Sequence, residues 1–282
     1  MPRPPSKSIH CNLAGIRLGA RSETVPRAVG LYRLGDASER SDEVVLTEHT
    51  HKAFDTDLQD LSRMIAEMGG LAERQIGDAI DALNRHDADL SRSIIAEDAK
   101  IDLLQREIEE KAILTIARRQ PMAIDLRDIV GALRVSNDLE RIGDLAKNIA
   151  KRVMVLDGEL NLQKVMRGVE HMTELVLTQI KDVLDAYSRR DVTKALAVWR
   201  GDEEVDAVNN SLFRELLTYM MEDPRNISVC IHLLFCAKNI ERMGDHATNI
   251  AETIYYMVEG RPLPDERPKG DNTSTTRVPY RL

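Results

Sequence analysis

The stretch "NDLERIGDLAKNIA", residues 137–150, places Glu140, Asp144 and Asn148 at four-residue steps. On an α-helix such steps line oxygen-bearing side chains along one stripe. The stretch "KNIERMGDHATNIA", residues 238–251, repeats the pattern as Glu241, Asp245 and Asn249, at an offset of 101. Upstream of each lies a further acidic pair, Asp98 with Asp102 in "EDAKID" and Asp202 with Asp206 in "GDEEVD". Carboxylates gathered from two helices form an oxygen-rich set that suits a hard or borderline cation such as Mg²⁺, Mn²⁺ or Fe. The plainer reading of a lone E-x-x-x-D is a solvated helix face. Recurrence at matched places weighs against it, and so does a mid-helix glycine in each stripe, Gly143 and Gly244. A glycine there costs about 1 kcal/mol relative to alanine, and its missing side chain permits close approach beside the acids. Spacing alone does not say whether the helices bearing the two pairs face each other.

The elements that must position these residues are written in the same repeat. "QIGDAIDALNRHD", Gln75 to Asp87, returns as "QIKDVLDAYSRRD", Gln179 to Asp191, at an offset of 104, which also maps Asp98 onto Asp202 and Asp102 onto Asp206. The offset falls to 101 beyond the stretch holding Pro121 and Pro224. A duplication of about 100 residues follows. Each copy reads as three helices, 53–85, 88–118 and 122–156, then 160–189, 192–222 and 225–258, with Asp87 and Asp191 as N-caps. Pro121 and Pro224 read as helix starts, Asp223 capping the latter. The third helix carries an apolar seam, Leu139, Ile142, Ala146, Ile149 and Val153, repeated as Ile240, Met243, Ala247, Ile250 and Ile254. At 100° per residue the acidic stripe falls away from that seam, so the expected site lies on the surface, open to solvent. The fold class is all-α: two tandem three-helix bundles, 47–157 and 158–259. Residues 1–46 and 260–282 are expected to be disordered flanks, and the native chain to start near Leu46, where the first periodic segment opens.

Composition agrees. Hydrophobic residues make up 43% of the 282, but aromatics only 4%, a mix that favours helix-on-helix packing. The net charge of −8 argues against nucleic acid as the main partner. No apolar run approaches the roughly 18 residues needed to span a bilayer. Cys11, Cys230 and Cys236 form no C-x-x-C pair and read as reduced thiols of a cytoplasmic protein. His246, beside Asp245, is either a further ligand or a surface hydrogen-bonding residue; His232, in an apolar stretch, reads as a satisfied core histidine.

"LERIGDLAKNIAKR" and "IERMGDHATNIAE", each on the third helix of a repeated bundle, resemble the PhoU family. The acidic pairs, the opening "TEHTHKAFDTDLQDL" and the tail "GRPLPDERPKGD" are also similar, so the likeness covers about 47–270. It implies a non-enzymatic negative regulator of phosphate uptake and of the phosphate-starvation response. Such a protein is an adaptor between the ATPase of the phosphate ABC transporter and the phosphate-sensing histidine kinase, often a homodimer, and meets the membrane only through its partners. In some members the E/D-x-x-x-D motifs hold iron or zinc. Carried onto this chain, the motif positions are Asp98, Asp102, Glu140 and Asp144 in the first copy and Asp202, Asp206, Glu241 and Asp245 in the second, accompanied by Asn148 and Asn249.

Two other readings compete. A carboxylate-bridged metal enzyme or ferritin-like bundle needs inward carboxylates with Glu-x-x-His motifs, and this chain spells one, Glu48 to His51, without a repeat. A purely structural bundle would leave the stripes as solvated faces. No phosphate-cradling loop or nucleophile elbow supports a hydrolase or a kinase.

Overall fold

The computed structural model describes residues 37–156 and 163–264. The chain divides into two units, Met1–Leu46 and Thr47–Leu282; of the first, only helical backbone from Ala37 onward is described. Six α-helices follow in order: α1 (Ala37–Arg85), α2 (Ala88–Arg119), α3 (Ile124–Val153), α4 (Gln163–Arg189), α5 (Val192–Glu222) and α6 (Ile227–Glu259), with one 3-10 turn, Pro224–Asn226, leading into α6. No strand occurs among the described residues. The expected all-α class and the two three-helix sets are present.

The differences from expectation are local. α1 begins at Ala37, well before the expected start at 53. Between Gly35 and Gly69 the sequence has no glycine or proline to interrupt it. Residues 1–36 and 265–282, on which most of the expected flank disorder falls, lie outside the described residues. Pro121 stands in the α2–α3 connection instead of starting α3, because Gln120 and Ala123 both take positive φ, 49° and 48°. Pro224 behaves as expected: the Asp223 carboxylate accepts from the Arg225 amide at 3.0 Å, with the proline at the first position of the turn.

The duplication reaches the backbone of the turns. His86 and Arg190, 104 apart, both sit in the left-handed region at φ 53°. Each precedes a working N-cap. Asp87 Oδ1 accepts from the Asp89 and Leu90 amides at 3.0 and 2.9 Å, and Asp191 Oδ1 from the Lys194 amide at 3.0 Å. Both caps also donate their own N–H back to the preceding helix, to Ala82 and Ala186 oxygens at 3.0 and 2.9 Å. Tight turns of this kind make α1–α2 and α4–α5 antiparallel hairpins.

The seams predicted for α3 and α6 are buried throughout. They pack α3 and α6 against each other at the centre, with α2 flanking α3, and α4 and α5 flanking α6. The Arg152 guanidinium lies 4.2 Å from the Phe235 ring and that of Arg134 5.1 Å from Tyr256, so the two central helices run antiparallel. α1 meets α4 where Gly69 faces Leu184 and where the Asn84 amide donates to Glu170 at 2.7 Å. Each fully buried Ile or Leu of this core contributes roughly 2 kcal/mol, which is why a chain poor in aromatics still folds.

Candidate functional site

In the first copy, α2 and α3 do face each other across the acidic residues. Asp98, on α2, is 4% exposed. Its Oδ1 accepts from Gln75 Nε2 of α1 at 3.1 Å, and its Oδ2 from Lys147 Nζ of α3 at 2.5 Å. The same ammonium donates to Asp144 Oδ1 at 2.5 Å, so one lysine joins a carboxylate from each helix. Burial works against the charged form of Lys147, but the bonds to Asp144 and Asp98 outweigh it and raise its pKa. Glu140 stands in the same group. Its pKa is raised first by burial, then by the charge of Asp144, with Asp102 and Asp98 adding to the effect against the opposing Arg141. Gly143 makes the approach possible: a Cβ there would stand 2.9 Å from Ile101 Cδ1 and 3.3 Å from Gln75 Oε1.

The second copy builds the corresponding groove from α4, α5 and α6, and buries more of it. Asp202, Asp206 and Glu241 are 3%, 4% and 5% exposed, whereas Asp102 and Glu140 are half-buried. Gln179 takes the place of Gln75. A Cβ on Gly244 would stand 3.2 Å from Gln179 Oε1 and 3.6 Å from Asp202 Oδ1, so two oxygens converge on the notch that Ile101 fills in the first copy. Gln179 Oε1 is buried without a hydrogen-bond partner, as is Gln75 Oε1. The residue matched to Lys147 is Thr248, fully buried, which turns its hydroxyl back to the Asp245 carbonyl at 2.8 Å. The lysine of this groove is Lys238, at the other end of the stripe, bonded to Glu241 Oε1 at 2.8 Å. Its counterpart in the first copy is Asn137, which accepts from Gln105 Nε2 at 3.1 Å.

The expectation of a solvent-open surface stripe is therefore corrected. The side of the third helix away from the seam is covered by the second helix of its own copy, at the glycine. The two asparagines stand apart from the carboxylates. Asn148 is exposed, and Asn249 donates to Asp138 across the α3–α6 interface at 3.4 Å. His246 joins Asp138 there at 2.8 Å; it is a hydrogen-bonding residue, but between the copies and not on the surface. The reading of His232 as satisfied is corrected too, since its buried Nδ1 has no partner. Cys230 and Cys236 are free and buried, and burial pushes both thiols up, Cys236 to about 12, which suits neither a nucleophile nor a ligand. Cys11 lies outside the described residues. Among the described residues no three carboxylate, imidazole or thiol groups already stand together as a metal-ligand set.

Sequence reasoning passed over Lys147, Lys238, Gln75 and Gln179 as site residues. The glutamines open the two halves of the 104 repeat, and lysine against threonine is a departure between otherwise matching "DLAKNIA" and "DHATNIA".

The six described helices, with a doubled bundle and a doubled acidic groove, place the chain in a class of tandem helical-repeat proteins. The particular family follows from comparison. The PhoU domain matches twice, at residues 65–153 and 169–254, one match for each bundle. The chain belongs to the PhoU family. It is 58% identical over 227 residues to the phosphate-specific transport system accessory protein PhoU homolog of Rhizobium meliloti, covering 80% of this chain and 96% of that one. The crystal structure of PhoU from Pseudomonas aeruginosa is 40% identical and superposes with a TM-score of 0.71 over 74% of this chain and all of that one. The phosphate transport system regulatory protein PhoU from Streptococcus pneumoniae gives 28% identity and a TM-score of 0.69, over 74% of this chain and 99% of its own.

Proposed function

We propose that this protein is an accessory regulator of phosphate uptake. It restrains the phosphate ABC transporter through its ATPase subunit and keeps the phosphate-sensing histidine kinase from activating the starvation response when phosphate is ample. The observation that carries the reading is the near full-length likeness to a protein named as an accessory of that transport system. In this reading the protein is an adaptor and not an enzyme, acts in the cytoplasm and pairs as a homodimer. No described helix is long and apolar enough to cross a membrane; in this reading the protein meets the membrane through its partners. Exposed apolar side chains support a role in protein contacts: Met122, Ile124 and Leu126 at and just before the start of α3, and Ile227, Ile231 and Phe235 in the first turns of α6, with Leu126 and Ile227 at matched places. Co-purification from phosphate-replete cells tests it. The transporter ATPase and the kinase are the expected partners, and their absence from the eluate, with the protein itself recovered folded, counts against the adaptor role.

A metal belongs to the same proposal. Asp202, Asp206, Glu241 and Asp245 supply carboxylates, and Gln179 Oε1 is a buried carbonyl oxygen aimed at the same notch as Asp202. These donors suit Mg²⁺, Mn²⁺ or Fe better than a thiolate-seeking ion, and a bound ion would offset the mutual repulsion of buried carboxylates. Side chains must shift to enclose it, since no ready ligand set is present among the described residues.

A further inference from the structure

We propose that the second copy carries a small-molecule site between α5 and α6, which takes a compact, uncharged molecule with an apolar body and one amide or ketone oxygen. The site is separate from the acidic motifs and does not depend on a metal.

Three observations carry it. The first is a cavity of about 200 Å³ lined by Asn209, Phe213 and Leu216 of α5 and by Leu234, Ala237 and Lys238 of α6. Leu216 and Ala237 are buried while Phe213 and Leu234 are half-buried, so the cavity opens to solvent. A hole of roughly 150 Å³ holds a benzene, whereas a drug-sized ligand needs roughly 300 Å³ or more. The occupant is therefore one ring or one short branched chain. The second is the Asn209 side chain, which is 4% exposed and whose Nδ2 has no hydrogen-bond partner. A buried donor without an acceptor is costly. Rotation about the last torsion of an asparagine is soft, and it turns Nδ2 toward the cavity, where a ligand oxygen accepts from it. Apolar walls with one unmet donor are the pattern of a small-ligand pocket.

The third is the matched place in the first copy, which is satisfied from within. There Gln105 stands for Asn209 and Asn137 for Lys238, and Gln105 Nε2 donates to Asn137 Oδ1 at 3.1 Å. In the second copy the amide is one methylene shorter, and Phe213, Leu216 and Ala237 replace Glu109, Ala112 and Ser136. A polar contact between helices has become an apolar cavity with an amide left over. Charge then sets the class of ligand. The Lys238 ammonium, which donates to Glu241 Oε1 at 2.8 Å, disfavours a cation. Asp206, one turn before Asn209, and Glu241, one turn after Lys238, are buried carboxylates that disfavour an anion.

The test titrates the full chain with benzamide, sodium benzoate and toluene as probes. NMR follows the methyl signals of Leu216, Leu234 and Ala237 and the side-chain amide protons of Asn209. Benzamide is expected to shift these methyls saturably, in the millimolar range or tighter, with contacts from its ring protons to the same methyls. It should also shift the Asn209 amide protons, which toluene should leave in place. Benzoate should bind about tenfold more weakly than benzamide, the effect of a charge brought near like charges. Asn209→Leu replaces the orphan amide with an apolar side chain and should weaken benzamide about fivefold, with toluene unchanged. Ala237→Leu, which fills the cavity, should abolish binding of all three probes. Absence of a saturable benzamide shift at these methyls in the wild type overturns the proposal. So does benzamide binding that is unchanged in Asn209→Leu, or benzoate binding as tight as benzamide. If either variant does not fold, the wild type still decides. Ring-to-methyl contacts at Leu216, Leu234 and Ala237 with a benzamide-specific shift of the Asn209 amide support the site, and benzamide contacts only elsewhere overturn it.

Discussion

The two grooves share four carboxylates, a glutamine and a glycine at matched positions, yet each balances its charge from a different end. In the first, Lys147, one turn beyond Asp144, ties α2 to α3; in the second, Lys238, one turn before Glu241, donates to that glutamate. The same freedom shows elsewhere. Lys111 bonds Asp60 at 2.7 Å in the first copy, and the matched pair in the second is Glu215 with Lys164 at 3.0 Å, the charges exchanged. After a duplication, then, packing positions are held by shape, while an ion pair needs only that one member be positive and the other negative.

The largest expected effect breaks the comparison at its lysines. Lys147→Met leaves Asp98 buried without its ammonium and should cost about 3 kcal/mol of stability, by the usual penalty for an uncompensated buried charge. Lys238→Met also strips a buried carboxylate, Glu241, of an ammonium, but a more exposed one, and should cost less, about 2 kcal/mol. Urea unfolding of both variants measures the difference, and equal costs would remove the asymmetry. The N-caps come next. Asp87→Ala and Asp191→Ala should each lose about 1 kcal/mol, Asp87 the more, because it satisfies two amides and Asp191 one. Thermal midpoints of the two variants check the order.

The smallest effect is a pH dependence. Glu140 has a raised pKa, chiefly from burial and then from Asp144, so the folded state holds its proton more tightly than the unfolded state does. Its contribution is therefore fully present below the ordinary glutamate value of 4.5 and is lost as pH rises through the folded value. Glu140→Gln should thus stabilise the protein at pH 7 by about 0.5 kcal/mol, the scale of a like-charge pair one helical turn apart. The gain should shrink as pH falls through 4.5; a gain that is constant with pH would point to packing instead.

Much of the fold was legible because repeats and periodicity are properties of the chain itself. The offsets located both bundles, the seams named the central helices, and Asp87 and Asp191 marked their turns. The start of α1 was not, since no breaker separates the weakly patterned stretch after Ala37 from the strongly patterned one that follows. At the site, the residue types and the stripe could be read, but not their burial. That depends on how closely α2 crosses Gly143, a matter of tertiary approach. Nor could the bond from Lys147 to Asp98 be read, across 49 residues, nor that from Gln75 to Asp98, across 23. Lysine at 147 against threonine at 248 was visible in the aligned stretches; what each side chain touches was not.

The regulatory role itself is tested most directly by a phosphate-starvation reporter in a strain lacking this gene, grown in ample phosphate. The account predicts high reporter activity in the deletion strain and return to the repressed level when the full chain is supplied. Repression that persists unchanged in the deletion strain would contradict it.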